Sequence, residues 1–476
     1  MRAAAALPGL VLFAVLSNEA AVAAPADAEF SAMLMKQGIE AYSEAGARGD
    51  QKTTDALTDE DILFAGGDGS VDHDEKRDKN DAIAAVLKEH TLALRQAENA
   101  GEVDEMAAMR RFAAADLLAI DEDGRVTEGN QILPPADLPV RGIPEQDTVT
   151  DWVAHHDGRT AVTSYVNERS MRYGGQILLF RSRLIDTWAM LDGQWKLCAR
   201  HAVPLFDDAA TVKLPDAAMD AYAGSYAIGP GAKAVLARDG ALLASSVNGG
   251  KPTRYAAELP DVFYALGSSP GSARTHLIFR RDAKGGIAGY TSSSGLRLER
   301  VEAPVTAPAV AQGGGIESHV LPTAHLVVHR FGDMAVATFI HERVTQFYGQ
   351  TLHTEYRSTE TWVKRGESWK MLALQSRALE HAMPVHALSA AEAQAYAGTY
   401  AAGADVAGTI AAEGGALSVR FGAAPALRLE AIAQDDFVAR DSPGTGFIFQ
   451  RDVAGRVTGY VARREGRDLQ FVKIGI

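Results

Sequence analysis

The sequence predicts an α+β protein that contains the same pair of modules twice. The first module is a curved antiparallel sheet with covering helices, and the second is a small antiparallel β-barrel or sandwich. Three observations predict this class. A long segment recurs later in the chain without gaps, apolar residues alternate along several segments as in half-buried strands, and a helical period precedes the first copy. The length of 476 residues allows several domains.

The repeat is clearest in one hairpin. RLIDTWAMLDGQWKLCARH at 183–201 aligns with RSTETWVKRGESWKMLALQ at 357–375, an offset of 174 residues (357 − 183). At the same offset, AYAGSY at 221–226 aligns with AYAGTY at 395–400. Each repeat therefore holds two different modules in the same order.

The first repeat begins with helices. Apolar residues recur at helical spacing over 83–97, and a short strand, LLAID, then ends in the turn DEDGR. Long alternating strands follow, and Asp192-Gly193 marks a tight turn between the last two. We place the first sheet module at 80–205. Short strands separated by Gly, Pro, Asn and Asp place the first β-barrel at 215–301.

The second repeat has no helices of its own. We expect a Pro/Ala/Gly linker at 302–315, the sheet of the second module at 316–385 and the second β-barrel at 389–476. A curved sheet without a cover would expose a large apolar patch, which monomeric proteins avoid.

An N-terminal arm at 28–79 is the candidate cover. It contains a helical segment and then LTDEDILFAGGDGSV (57–71), which aligns without gaps with FAAADLLAIDEDGRV (112–126). We expect the arm to supply the missing helix and first strand to the sheet at 316–385. The alternatives are that the arm packs on the first repeat, or that a second chain covers the sheet.

The first residues have the pattern of a signal peptide. Arg2 precedes an apolar run from Ala3 to Leu16, and AVA at 21–23 is a small-x-small cleavage site. The run is short for a membrane span, which disfavours an uncleaved anchor. We predict removal of residues 1–23 and a periplasmic or secreted protein.

Composition excludes several classes of partner. The net charge of −14 argues against nucleic acid and anionic membrane surfaces, and no later segment predicts membrane insertion. Cys198 is the only cysteine, so an internal disulfide is impossible. The sequence has neither H-E-x-x-H nor paired C-x-x-C motifs, and we expect no metal and no cofactor.

Helices, a strand ending in DxDG and a sheet closing with TW and DGQWKL resemble the nuclear transport factor 2-like superfamily. Within it, the chain resembles the SnoaL-like, ketosteroid-isomerase-like group. The resemblance implies two cone-shaped sheets with helices, complete at 80–205 and partial at 316–385. YAGSY and YAGTY resemble the opening of the small β-domain appended to penicillin-binding-protein-like serine hydrolases.

The resemblance also implies a small-molecule pocket inside the cone, apolar with a few polar groups. In the ketosteroid isomerases a carboxylate just after the first strand acts as a general base, and this position falls on Asp121. The alternative is a solvated acidic turn before Gly124. Two departures weigh against catalysis. Leu94 or a neighbour stands where those enzymes have an oxyanion-binding tyrosine, and the copy at 57–71 has Gly66 in place of Asp121.

Strand phase selects the other candidates. His201 is in phase with Trp195 and Leu197, which predicts a side chain that faces into the cone and can act as an acid or base. Its counterpart in the second repeat is Gln375. The candidate ligand-binding residues are Tyr165, Arg183, Thr187, Trp188, Arg357 and Trp362. The alternatives are structural: ion pairs with neighbouring strands for the arginines, core packing for the tryptophans, and satisfied buried polar groups for the others.

These features predict an exported protein that binds a small apolar or amphipathic molecule in the pocket of residues 80–205. The alternative is an isomerase, cyclase or hydratase in which Asp121 or His201 is the general acid or base. By resemblance, a homodimer through a cone sheet is a further expectation.

Overall fold

The structure is a computed structural model. It describes residues 25–66, 70–72, 81–100, 102–122, 124–129, 143–173, 175–205, 211–267, 275–301, 316–320, 323–379, 386–403, 406–440, 445–464 and 467–474. The predicted signal peptide at 1–23 and linker at 302–315 lie outside these ranges. Within them, no helix combines the length and the apolar character that a membrane crossing needs.

The elements of the first half follow in chain order. The arm contains α1 (Pro25–Leu34), a π-helical turn (Met35–Ile39), α2 (Glu40–Arg48), α3 (Gln51–Leu57), β1 (Thr58–Ala65) and β2 (Val71–Asp72). The first cone contains α4 (Ala82–Ala100), α5 (Glu102–Phe112), β3 (Ala113–Ile120), β4 (Val126–Glu128), β5 (Ile143–His156), β6 (Thr160–Tyr173), β7 (Gln176–Leu191) and β8 (Gln194–Pro204). The first barrel contains α6 (Asp216–Tyr222), β9 (Gly224–Gly229), β10 (Ala232–Asp239), β11 (Leu242–Val247), β12 (Thr253–Leu259), β13 (Val262–Ala265), β14 (His276–Arg281), β15 (Ile287–Ser292) and β16 (Arg297–Val301).

The second half repeats this order without the helices of the cone. The second cone contains β17 (Ile316–Val320), β18 (Ala324–Phe331), β19 (Met334–Phe347), β20 (Gln350–Arg365) and β21 (Ser368–Ala378). The second barrel contains α7 (Ala390–Tyr396), β22 (Gly398–Ala401), β23 (Ala407–Glu413), β24 (Ala416–Phe421), β25 (Leu427–Ala433), β26 (Asp436–Ala439), β27 (Thr445–Arg451), β28 (Val457–Arg464) and β29 (Arg467–Ile474).

The predicted α+β class is confirmed. The first cone has the strand order β4-β3-β8-β7-β6-β5, and the second has β17-β19-β20-β21-β1-β2 with β18 paired to β19. Each remaining module is a closed barrel of eight strands. All strand pairs are antiparallel except β1 with β21 and β3 with β8.

The helices of the first cone cover one face of its sheet, which we call its helix face. Helix α4 buries Leu87, Thr91, Leu94 and Arg95, whose spacing puts them on one side of the helix. The aliphatic side chains among them pack with Trp188 and other residues of the sheet. Among the described residues, no helix lies on the opposite face of either sheet, and we call this the inter-sheet face.

The N-terminal arm lies on the second cone. Strand β1 runs parallel to β21 with Thr58 opposite Met371, and β3 runs parallel to β8 with Ala113 opposite Leu197. These two registers are equivalent under the repeat. Phe30, Leu34 and Ile39 from the arm pack around Trp362 on the helix face of the second sheet. The arm therefore occupies the place that α4, α5 and β3 have in the first cone.

The inter-sheet faces of the two cones pack against each other. Their shared core is apolar and consists of Leu63, Ala65, Ala114, Leu118, Ile120, Val162, Ile185, Ala189, Cys198, Ala199, Met334, Val336, Val363, Leu372 and Ala373. At its centre the hydroxyls of Thr187 and Thr361, which are equivalent in the repeat, are hydrogen-bonded at 2.8 Å. The inter-sheet face of each cone is thus covered by the other cone of the same chain, and the expected homodimer through a cone sheet stays a prediction.

Each barrel docks on the cone of the other repeat. Gln176, at the β6–β7 hairpin of the first cone, exchanges two hydrogen bonds of 2.9 Å with the backbone of Gln470 in the second barrel. The equivalent Gln350 of the second cone accepts from the backbone N–H of Arg297 at 2.9 Å and donates to the carbonyl of Ile228 at 2.6 Å, both in the first barrel. The two repeats are thus crossed, because each barrel contacts the cone of the other repeat.

A substitution at Gly229 would test this crossed docking. A Cβ at this position would lie 1.8 Å from the carbonyl oxygen of Tyr348, a backbone atom that has no freedom to rotate away. We expect Gly229→Ala to separate the first barrel from the 347–350 hairpin and to lower the free energy of unfolding by about 1–3 kcal/mol. Urea unfolding and limited proteolysis of the hairpin measure both effects.

The matched control is Gly46→Ala in helix α2, where an added Cβ meets no atom within 4 Å. This change should leave the hairpin protected and stabilise the helix by up to about 1 kcal/mol. A Gly229→Ala protein as stable and as protease-resistant as the parent would contradict the docking.

Candidate functional site

The helix face of the first cone carries a buried ion pair. Arg200 on β8 and Asp186 on β7 are directly opposite each other, with Nε–Oδ1 at 2.7 Å and Nη2–Oδ2 at 2.8 Å. The hydroxyl of Tyr165 on β6 donates to Asp186 Oδ2 at 3.1 Å and accepts from Arg200 Nη2 at 3.2 Å. Three adjacent strands therefore hold a closed triangle of polar groups under the helices.

Helix α4 and the outer strands extend this triangle into a network. Glu98 accepts from Arg95, from Arg169 at 2.9 Å and from Arg200 at 3.5 Å. Arg169 also contacts Asp147 on β5, with Nε–Oδ2 at 3.0 Å. Three guanidinium groups face three carboxylates, counting Asp186, so the ion-pair network carries no net formal charge.

Pairing shifts the pKa values of Glu98 and Arg200 toward their charged forms although both side chains are buried. Burial alone would raise the pKa of Glu98, but Arg95, Arg200 and Arg169 together hold this pKa below its ordinary value. Burial likewise opposes the charge of Arg200, yet its carboxylate partners raise its pKa well above the usual one. Burial raises the pKa of Tyr165, so its hydroxyl stays protonated and remains a donor.

Five buried atoms beside the network have no hydrogen-bond partner within the described ranges. They are Thr91 Oγ1, Arg95 Nε, Asn99 Oδ1, Asp147 Oδ1 and Asn167 Oδ1. Thr91, Arg95 and Asn99 follow each other at four-residue spacing on α4, and Asn167 and Asp147 lie on the adjacent strands β6 and β5. Buried polar atoms in folded proteins nearly always have a partner. This cluster therefore marks the part of the helix face where buried polar atoms have no partner among the described residues.

The apolar end of the same face is filled by the protein itself. Trp188 is completely buried, packs with Leu87 and Leu94, and donates its indole N–H to Thr163 Oγ1 at 3.1 Å. It is a core residue here. The polar character of the other end differs from the apolar pocket that the sequence analysis expected.

The second cone has lost the ion pair. At the positions of Asp186, Arg200 and Tyr165 it has Glu360, Leu374 and Phe339. Glu360 is 2% exposed, and its one hydrogen bond within the described residues comes from the indole N–H of Trp362 at 2.8 Å. Burial without a cation raises the pKa of Glu360 to about 8. This carboxyl group is therefore neutral at pH 7 in an otherwise apolar core.

The remaining ligand-binding candidates lie on the inter-sheet face. Arg183 pairs there with Asp151 of β5, so an ion pair, the structural alternative for this residue, is present. Thr187 is bonded to its equivalent Thr361, as described above. Arg357 is half-buried at the edge of the same face of the second sheet.

The predicted orientation of His201 is wrong. Trp188 pairs with Leu197 but Thr187 pairs with Ala199, so Cys198 is an extra residue that forms a β-bulge. The bulge reverses the strand phase, and His201 points to the second sheet, where Nδ1 lies 2.9 Å from Thr359 Oγ1. Burial and the nearby Arg377 and Arg357 lower its pKa to about 3, so the ring is neutral.

Asp121 also lies outside the predicted pocket. Its side chain is exposed and accepts a hydrogen bond from the backbone N–H of Arg125 at 2.9 Å. It forms part of the acidic turn before Gly124, which was the alternative given for it. Asp121 and His201 therefore do not meet on the helix face.

The network itself was not predicted from the sequence. A regular hairpin around Asp192-Gly193 puts Asp186 opposite Ala199, and only the bulge at Cys198 brings Arg200 into that place. The signal on α4 was visible: Thr91, Arg95 and Asn99 interrupt the apolar side of the helix at regular spacing.

The comparisons with known proteins match only solved structures. No protein-family model matches the chain, and no curated protein matches it either. An NTF2-like protein from Cytophaga hutchinsonii is 19% identical over 27% of this chain and 100% of its own, with a TM-score of 0.21. A putative Ca/calmodulin-dependent kinase II association domain from Exiguobacterium sibiricum is 19% identical over 28% and 100%, with a TM-score of 0.22. The CaMKII hub of S. rosetta is 17% identical over 27% and 99%, with a TM-score of 0.21.

Glu360 gives the fold a measurable pH dependence. Its pKa is about 8 in the fold and about 4.5 in the unfolded chain, so unfolding releases a proton between these values. The stability that this group contributes is present below about pH 4.5 and is lost as the pH rises through about 8, by at most about 5 kcal/mol. Glu360→Gln should remove this loss, and urea unfolding at about pH 5 and about pH 9 measures it.

The control is Glu413→Gln, which changes an exposed glutamate of the second barrel and should keep the parental pH dependence. If the unfolding free energies of Glu360→Gln and the parent ran parallel over this pH range, the neutral carboxyl group would be excluded.

Proposed function

We propose that the protein is an exported small-molecule-binding protein without catalytic activity, and that its ligand lies on the helix face of the first cone. The observation that carries the proposal is the cluster of unpartnered polar atoms beside the ion-pair network. A closed network of fixed charges is a rigid platform, because each side chain is held by at least one charge-assisted bond. The unpartnered atoms determine which hydrogen-bonding groups a ligand must supply.

The network is not fully sealed from solvent. The side chains of Arg169, Glu98 and Arg200 keep exposures of 23%, 14% and 13%, whereas Asp186 has none. The network therefore reaches from the sealed core to solvent. Trp152 stacks on Tyr165 with ring centroids 5.6 Å apart and supplies an apolar surface near the network.

The leftover atoms favour a ligand with hydrogen-bond donors. Asn99, Asp147 and Asn167 each present an acceptor oxygen, Arg95 presents one donor, and Thr91 can act either way. The balanced charges of the network give no reason for a ligand with net charge. A neutral or zwitterionic amphipathic molecule with hydroxyl or amino groups fits these requirements.

Export is supported by the signal-peptide pattern of the first 23 residues. A catalytic role has no comparable support, because Asp121 and His201 lie away from the ligand site.

The test is native mass spectrometry of the full protein purified from its own cells. We expect a retained small molecule that carries hydroxyl or amino groups. Asn167→Leu, which keeps the side-chain volume but removes the amide, should weaken its retention by about tenfold or more, because a buried partner is lost. The melting temperature of this variant confirms that it folds.

The matched control is His341→Leu, which alters the position equivalent to Asn167 in the second cone. It should retain the molecule as the parent does. The proposal would be overturned if the purified parent protein carried no small molecule and no fraction of a cell extract raised its melting temperature. Equal loss of the retained molecule in both variants would overturn it as well.

A further inference from the structure

A second polar cluster lies between the sheets and is separate from the helix face. Arg357 on β20 and Arg377 on β21 are directly opposite each other in the antiparallel ladder, so both side chains project from the same face. Arg357 Nε and Arg377 Nη1 are buried and have no partner within the described ranges. Two facing guanidinium groups are an unusual arrangement, since like charges placed directly opposite destabilise a sheet. The carboxylate whose charge acts on Arg357 is the exposed Glu355, two residues before it on β20.

The neighbours of the two arginines are also unsatisfied. His201 and Gln375 are 1% and 2% exposed. His201 Nε2 and both amide atoms of Gln375 have no hydrogen-bond partner in the described part of the chain. Gln375 is two residues from Arg377 on β21, and His201 bonds Thr359, which is two residues from Arg357 on β20. These four side chains therefore converge on one space.

The cluster borders solvent on one side and the first cone on another. Arg357 and Arg377 are half-buried, so the cluster reaches solvent at the edge of the sheets. The turn of the first cone forms part of its wall, since a Cβ at Gly124 would lie 3.0 Å from Leu379 Cδ2 and 3.9 Å from Arg357 Cβ. Both cones thus contribute to it.

The first repeat explains why the arginines lack a partner. There the equivalent Arg183 is paired with Asp151. The residue equivalent to Asp151 in the second repeat is His325, and both have the same backbone conformation with φ +50°. The second repeat has therefore replaced the carboxylate by an imidazole. It has also gained a cation, because Arg377 stands where the first repeat has Val203.

We propose that this cluster binds a small carboxylate anion. The guanidinium fork matches the two oxygens of a carboxylate, and two such forks can share one anion in place of the missing Asp151 counterpart. Gln375 donates an N–H to the same group. The neutral ring of His201 supplies one further donor or acceptor, which suits a hydroxyl or second carboxyl oxygen on the ligand.

Acetate is the probe. We expect sodium acetate to raise the melting temperature of the full-length protein saturably, beyond the effect of sodium chloride and sodium sulfate at equal ionic strength. Arg377→Val installs the residue of the first repeat and should weaken acetate binding by about tenfold or more. Arg420→Val, which removes an exposed cation of the second barrel, is the charge-matched control and should bind as the parent does.

His325→Asp is the second test and keeps both arginines. It restores the carboxylate that pairs with Arg183 in the first repeat, at a backbone conformation that Asp tolerates. The new side chain should occupy Arg357, raise the melting temperature without acetate and weaken acetate binding. Parental acetate binding in Arg377→Val or in His325→Asp would overturn the inference, and so would equal stabilisation by sulfate or chloride.

The proposal for the helix face and the proposal for the arginine cluster can be tested independently of each other. Asn167→Leu should bind acetate as the parent does, and Arg377→Val should keep the molecule retained on the helix face. Loss of acetate binding in Asn167→Leu would contradict two independent sites.

Discussion

The contact between the two inter-sheet faces is the constraint on which the architecture depends. Each sheet has helices on one side only, and its other side is apolar over a wide area. Neither cone can leave that side in water. Packing the two faces together buries both at once, and the Thr187–Thr361 hydrogen bond between equivalent residues marks an approximate two-fold relation, as in an isologous dimer. Because the halves are joined covalently, this contact does not depend on protein concentration. It also sets the path of the chain, which crosses so that each barrel reaches the opposite cone.

Once joined, the halves were free to differ. The first cone keeps an Asp–Arg–Tyr triangle, whereas the second keeps only the acid and surrounds it with Phe339 and Leu374. A buried carboxylate without a cation is strongly unfavourable, and the response is a raised pKa and a neutral group. The two cones therefore place equivalent buried acids in different surroundings, Asp186 beside a cation and Glu360 without one. On the helix faces, a charged network is therefore confined to the first cone.

Sequence patterns were sufficient for the fold class and insufficient for the site. The gap-free repeat and the alternation of the long strands led to two sheets and two β-modules, and the likeness of 57–71 to 112–126 pointed to the arm, where the structure places β1 beside β21. The site depends on Cys198, a single extra residue in β8. A bulge changes no local propensity, yet it sends every later side chain to the opposite face. It turned His201 away from the cone and brought Arg200 to Asp186, so one irregularity accounts for both the wrong candidate and the missed network.

The interface between the repeats has a property that a homodimer cannot have. In a symmetric dimer every substitution appears on both sides of the axis. Such a dimer would therefore have either two unpaired arginine pairs or none. In this chain the change from Asp to His at 151 and 325, and from Val to Arg at 203 and 377, occurs on one side only. Arg183 stays paired and holds β5 against its neighbours, while Arg357 and Arg377 are released for another partner. The destabilisation caused by the two facing cations is confined to one edge of the interface. The apolar core around Thr187 and Thr361 stabilises the rest of it.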